Sequence, residues 1–220
     1  MLMGLLACMA STEPVLLAAS SLTEPVTEVA LAWPEPMNTR FGGSQSLRTQ
    51  VEHGLLYSGF FSADQEHAKA VCSNPWPLVT APVVLVVPDA NPAGIEAFED
   101  LPKAKRLVVG DGGVPAGRYA DAVLERAGES LGPDFEEQVR AAVVSRESNV
   151  RLVRAKVLLG EADAAFVYAT DVVDGLRAVA LPASVQVDAT WYGCSGPEVR
   201  ERMESAPVQA VFRKHGFSSP

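Results

Sequence analysis

Apolar residues in this chain fall into short unbroken runs, separated by segments in which they recur every three or four positions. That alternation predicts buried strands joined by amphipathic helices. The run Val15-Leu16-Leu17-Ala18-Ala19 predicts a first strand and segment 23–31 a first helix. Trp33-Pro34-Glu35-Pro36 then breaks the chain, since proline lacks the donor that a helix or ladder needs. Beyond segment 37–41, Gly42-Gly43-Ser44 is a turn opening a helix in which Leu47 and Val51 lie four apart on one face. Phe60 and Phe61 mark a short strand, and 63–71 a helix. Val83-Val84-Leu85-Val86-Val87 predicts a buried strand from its branched side chains and its stop at Pro88. Strands at 107–109, 141–145 and 164–168 alternate with helices at 116–126 and 149–159, and helices at 197–203 and 208–214 close the chain. Such an order predicts an α/β fold with mostly parallel strands flanked by helices.

Composition narrows the function classes. The 220 residues, 48% hydrophobic and 20% charged, suffice for one large domain or two small lobes. With 18 Lys and Arg against 27 Asp and Glu, the net charge of −9 argues against nucleic acid or an anionic membrane surface as partner. A small anion stays open as a ligand, because screening over about 8 Å lets local dipoles decide. Cys8, Cys72 and Cys194 form no CxxC pair and no cluster with histidine, so a structural zinc site is not predicted. His53, His67 and His215 are scattered among polar neighbours and read as solvated surface residues. No GxSxG elbow surrounds Ser21 or Ser44, and Gly110-Asp111-Gly112-Gly113 is neither GxGxxG nor a Walker loop. The expectation is therefore not an enzyme. Residues 1–10 are nearly all apolar or small. They fall short of the ~20 needed to cross a bilayer and fit a secretory signal, without its usual basic start. The bland alternative is a buried apolar start with an ordinary cysteine.

A strand, a turn of small residues and a helix start recur at Ser20-Ser21, Gly43-Ser44, Pro115-Ala116 and Asn149-Val150. Each helix start leaves backbone N–H groups unpaired, and with the helix dipole these make an anion site. Ser and Asn at such places also simply cap helices. Open α/β sheets bind ligands beyond the carboxyl ends of their strands, where several such turns can converge, although spacing alone does not show that these do.

As a set, the junctions resemble those of the periplasmic molybdate-binding proteins, the type II solute-binding receptors of ABC transporters. The motifs are Ala18-Ala19-Ser20-Ser21-Leu22-Thr23, Phe41-Gly42-Gly43-Ser44, Phe61-Ser62-Ala63-Asp64-Gln65, Gly110-Asp111 with Val114-Pro115-Ala116-Gly117-Arg118-Tyr119-Ala120, Asn149-Val150-Arg151, the segment 160–171, and Lys214-His215-Gly216-Phe217. The resemblance implies a two-lobed type II periplasmic binding protein fold with the ligand cleft between lobes. Lobe 1 would be 15–82 plus 171–220, and lobe 2 would be 83–170. It implies a molybdate or tungstate ligand held by Ser21, Ser44, Ala116, Val150 and Tyr168, with no cofactor and no side-chain metal ligand. It also implies a periplasmic monomer that delivers the anion to a permease. Leu5-Leu6-Ala7-Cys8 resembles a lipoprotein signal, which implies a lipid anchor at Cys8 and no other membrane contact.

The chain departs from the family pattern at Gly42-Gly43 and Gln45, which suggests a looser second turn, and at Gly112-Gly113. Segment 185–194 is compressed, and the family's apolar strand after Tyr192 is expected to be missing. Cys72 and Cys194 both fall in lobe 1, where a disulfide or two buried thiols are open alternatives. Receptors for sulfate or another oxyanion, or a domain that senses a ligand or docks a protein without transport, are the rival readings.

Overall fold

The computed structural model describes residues 15–220, so the expectations for residues 1–10 and for Cys8 lie outside the described residues. The first half of the sheet is built from β1 (Val15–Ala19), β2 (Asn38–Gly42) and β3 (Gly59–Ser62). Helices α1 (Thr23–Leu31), α2 (Ser44–Glu52) and α3 (Gln65–Val71) follow these strands in turn. Strand β1 lies parallel to both β2 and β3, and its Leu16, Leu17 and Ala18 are wholly buried. A strand covered on both faces reads as a continuous apolar run rather than an alternating one.

The long strand β4 (Trp76–Pro88) joins the two halves. Its first part, 76–82, pairs antiparallel with β9 (Asp188–Ser195), and β9 pairs antiparallel with β3. From Val83 onward it pairs antiparallel with β7 (Ala164–Tyr168), and at 85–88 with β8 (Leu176–Val179). On the far side β5 (Leu107–Gly110) is parallel to β6 (Val143–Glu147) and to β7. The order is β2-β1-β3-β9-β4-β7-β5-β6, with β8 beside β4. The expected parallel strands thus occupy both ends of a curled mixed sheet, and antiparallel pairs link them through β4.

Only the second half of β4 is legible as a strand. Pro77 and Pro82 remove ladder donors from the first half, and the register slips between Pro77 and Val79. Strand β9 runs through Tyr192 to Ser195, so the expected loss of a strand at this point is corrected. Its Asp188, its glycine and the hydroxyls of Thr190, Tyr192 and Ser195 dilute the apolar signal, although Ala189, Trp191 and Cys194 are buried. Another correction concerns His67, which is buried; its Nε2–H donates to Gly113 O at 2.9 Å.

Helix α4 (Pro115–Leu131) outlasts its predicted end and stops at Gly132, whose φ of 101° suits glycine. Helix α5 (Pro133–Ala141) starts directly after it. Helix α6 (Val150–Leu158) is capped by the Asn149 side chain, which accepts from Leu152 N at 3.1 Å. Helices α7 (Pro197–Glu204) and α8 (Ala206–Lys214) end the chain. Among the described residues no helix is long and apolar enough to cross a membrane. Cys72, just past α3, and Cys194 of β9 form a disulfide with Cα atoms 5.9 Å apart.

Candidate functional site

The carboxyl ends of β1, β2, β5 and β6 lead into the starts of helices, and the small turns between them face one another. Ser21, Ser44, Ala116, Val150 and Tyr168 all line one small cavity there, together with Ala19, Gly43, Ala63, Val114, Pro115 and Asn149. Its free volume is about 10 Å³, the space of roughly one water. No lining residue carries a carboxylate.

The donors come from five elements. Ser21 sits in the one-turn 3-10 helix Ser20–Leu22 before α1, and Ser44 is the first residue of α2. Ala116 is in the first turn of α4, where Pro115 has no N–H to waste, and Val150 opens α6. The first N–H groups of a helix have no carbonyl one turn back. Tyr168, at the end of β7, is 1% exposed, and its hydroxyl has no hydrogen-bond partner among the described residues. Burial, with smaller contributions from Tyr119 and Asp171, pushes its pKa well above the ordinary tyrosine value. The group therefore keeps its proton and can donate.

The two serines are held in matching ways. Trp191 Nε1–H donates to Ser21 Oγ at 3.0 Å, and Ala63 N–H donates to Ser44 Oγ at 3.0 Å. Each hydroxyl has one acceptor position filled by a fixed donor and keeps its proton for another partner. Neither Trp191 nor Ala63 is marked by any local sequence signal, because each meets its serine only through the folded sheet.

Contacts across the cleft hold its walls together. Gln45 Nε2 donates to Ser148 O at 2.7 Å, and a Cβ on Gly43 would lie 2.4 Å from that same oxygen. Glycine at 43 thus permits the close approach of the two walls, rather than loosening the turn. Arg151 Nε donates to Ser20 O at 2.6 Å and its guanidinium pairs with Glu24. Burial tends to raise the Glu24 pKa, but hydrogen bonding and charge from Arg151 outweigh it and hold the carboxyl below its usual range. Arg118 pairs with Asp64 and lies 3.6 Å from Glu66, and Tyr119 Oη donates to Ala63 O at 3.2 Å. The nearby arginines are thereby occupied, and the cavity wall presents neutral donors.

Asp171 lies just beyond Tyr168, 1% exposed, with Oδ2 unpartnered among the described residues and Oδ1 3.6 Å from Arg154. Burial pushes its pKa up to about 7, against the pull of Arg154 and Arg151. It does not line the cavity, and Asp111 instead accepts from Gly113 N at 3.0 Å. A larger depression of about 520 Å³ lies between α1, α7 and α8. Its walls, including Val29, Val208 and Val211, are mostly apolar, and its charged rim of Glu198, Glu201 and Arg202 mixes both signs. Converging donors single out the smaller cavity.

Residues 14–218 match the family described as bacterial extracellular solute-binding protein. The chain belongs to that family. The Molybdate-binding protein ModA of Mycobacterium bovis is 32% identical over 142 residues, which cover 61% of this chain and 51% of that protein. The chain thus spans about half the length of the curated relatives it matches. Among solved structures, the substrate binding domain of a putative molybdenum ABC transporter from Clostridium difficile superposes with a TM-score of 0.67 at 25% identity, over 94% of this chain and 99% of that one. The periplasmic molybdate-binding protein of Azotobacter vinelandii superposes with a TM-score of 0.74 over 94% of this chain and 100% of that one. At 15% identity it speaks for the fold alone. This solute-binding protein therefore shares the α/β architecture of periplasmic binding proteins.

Proposed function

We propose that this solute-binding protein captures molybdate or tungstate outside the cytoplasm and hands it to the permease of an ABC transporter. One observation carries the reading: hydroxyl and helix-start donors from both halves of the sheet converge on a cavity with no carboxylate in its lining. Fully deprotonated tetrahedral dianions offer only acceptors, so a wall of donors suits them. A protonated phosphate would need an acceptor as well. The proposed contacts are the hydroxyls of Ser21, Ser44 and Tyr168 and the backbone N–H groups of Ala116 and Val150. The relatives named for molybdate support the choice of ligand.

The proposed lobes divide where β4 exchanges β9 for β7. Lobe 1 is 15–82 with the C-terminal region, and lobe 2 is centred on 83–170, with β8 joining it by its pairing to β4. A ligand touching both lobes favours the closed form, so closure is a population shift. The reading calls for no cofactor, for a monomer, and for Cys8 as a lipid anchor.

Sulfate is the second reading: it too is a fully deprotonated tetrahedral dianion, so the same carboxylate-free wall of donors suits it. Calorimetry with molybdate, tungstate, sulfate and inorganic phosphate tests both. One-to-one binding of molybdate and tungstate well ahead of sulfate supports the first reading, and the reverse order supports the second. A folded protein that binds none of the four would overturn both.

A further inference from the structure

We propose that Trp191 is a positioning residue of the oxyanion site, fixing the direction of the Ser21 proton and so helping the site to refuse protonated anions. The inference rests on the oxyanion-receptor reading above. Trp191 is wholly buried in the middle of β9, and its indole N–H donates to Ser21 Oγ at 3.0 Å. An indole N–H donates and never accepts. The Ser21 proton therefore cannot turn toward Trp191.

Three staggered directions surround the hydroxyl oxygen apart from its bond to carbon: one holds the indole proton, one faces the cavity, and one remains. If a lone pair faced the cavity, the Ser21 proton would occupy the third direction, where the described residues provide no acceptor. Donation into the cavity is the arrangement that a bound oxyanion oxygen satisfies. The proton of a protonated anion finds no acceptor at Ser21, whereas a bare oxyanion oxygen meets a donor.

The indole itself is clamped. Its ring stands edge-on to Tyr168 with centroids 4.6 Å apart at 68°, and to Phe217 at 5.1 Å and 87°. Phe217 packs in turn on Phe212 of α8. One side chain of β9 thus sets the proton of Ser21 and packs the ring of Tyr168, two of the three hydroxyls that line the cavity. On the other side the Ala63 backbone N–H does the equivalent for Ser44, where only proline would remove the donor, and that change would disturb the backbone as well. Trp191 is the member of the pair open to test.

The experiment is a double-mutant cycle in the full chain, with Trp191→Phe, Ser21→Ala and the combined variant, read by calorimetry with sodium molybdate and with inorganic phosphate at pH 7. Phenylalanine keeps an aromatic ring against Tyr168 and Phe217 but removes the N–H together with part of the indole's bulk, and the Ser21→Ala background separates the two losses. Trp191→Phe is expected to weaken molybdate about tenfold, the scale of one hydrogen bond acting on a charged ligand. It is also expected to narrow the molybdate-to-phosphate preference, and both effects should vanish in the Ser21→Ala background. An equal loss in both backgrounds means that the ring acts by packing alone and overturns the inference, as does no loss at all.

Should Trp191→Phe fail to fold, the indole N–H signal of Trp191 is followed by NMR in the wild type and in Ser21→Ala. Faster exchange of that proton in Ser21→Ala supports the contact, and an unchanged rate overturns it. A wild-type chain that binds no oxyanion, yet keeps the protected indole proton, removes the receptor reading beneath the inference rather than the contact itself.

Discussion

At Tyr168 a buried hydroxyl with no partner among the described residues faces a cavity of other donors. Tyr168→Phe is expected to weaken oxyanion binding by about 0.5–3 kcal/mol, the span from an ordinary hydrogen bond to one with a charged group. Ala116→Pro should cost more, because it deletes a backbone donor and adds bulk in the first turn of α4; calorimetry on both variants checks the order. Asp171 makes a different prediction. Its pKa of about 7 in the fold exceeds the ordinary 3.8, so the folded protein keeps a proton that the unfolded chain has lost. The stability linked to this group is fully present below about pH 4 and is lost as pH rises through about 7. Asp171→Asn, which cannot ionise, should gain stability relative to wild type between pH 5 and 8, as measured by urea unfolding; a constant difference would contradict the assignment. Ser21, Ser44, Ala116, Val150 and Tyr168 were legible through the order of their motifs, not through spacing. Trp191 was not legible, because 170 positions separate it from the serine it orients.

Among the elements, β1 and α1 could be read directly, since a fully buried strand and a periodic helix leave contrasting apolar patterns. The first half of β4 and all of β9 could not. Their prolines, hydroxyls and small residues are compatible with a strand only because neighbours on both sides supply the pairing. Helix α5 was hidden by Gly132-Pro133, which reads as a break and in fact ends one helix and begins the next. Strand β9 is also held covalently, by Cys194 to Cys72 after α3. The bridge closes a span of 122 positions, so replacing both cysteines with serine should cost about 2–4 kcal/mol. Denaturant unfolding of the oxidised protein and of the double serine variant measures it. Equal midpoints would mean that β9 is secured by its ladder to β3 and β4 alone.

For the molecule as a whole, β4 is the strand shared by both ends of the sheet, and the walls it brings together are joined by paired charges. Arg151 is matched by Glu24, and Arg118 by Asp64. These cations give structure to the cleft and leave little positive field to project into solvent, while the chain as a whole carries −9. A dianion diffusing toward the cleft therefore travels uphill until it comes within reach of the donors. Salt shortens that repulsive approach, since the screening length falls from about 30 Å at 0.01 M to about 8 Å at 0.15 M. The association rate for molybdate in stopped flow should consequently rise with sodium chloride over this range, opposite to an electrostatically steered encounter. A falling rate would mean that the paired arginines still guide the ion. On the proposed reading, capture would depend on rare arrivals followed by firm retention, with speed of encounter given up at the point where both arginines are committed to holding the walls together.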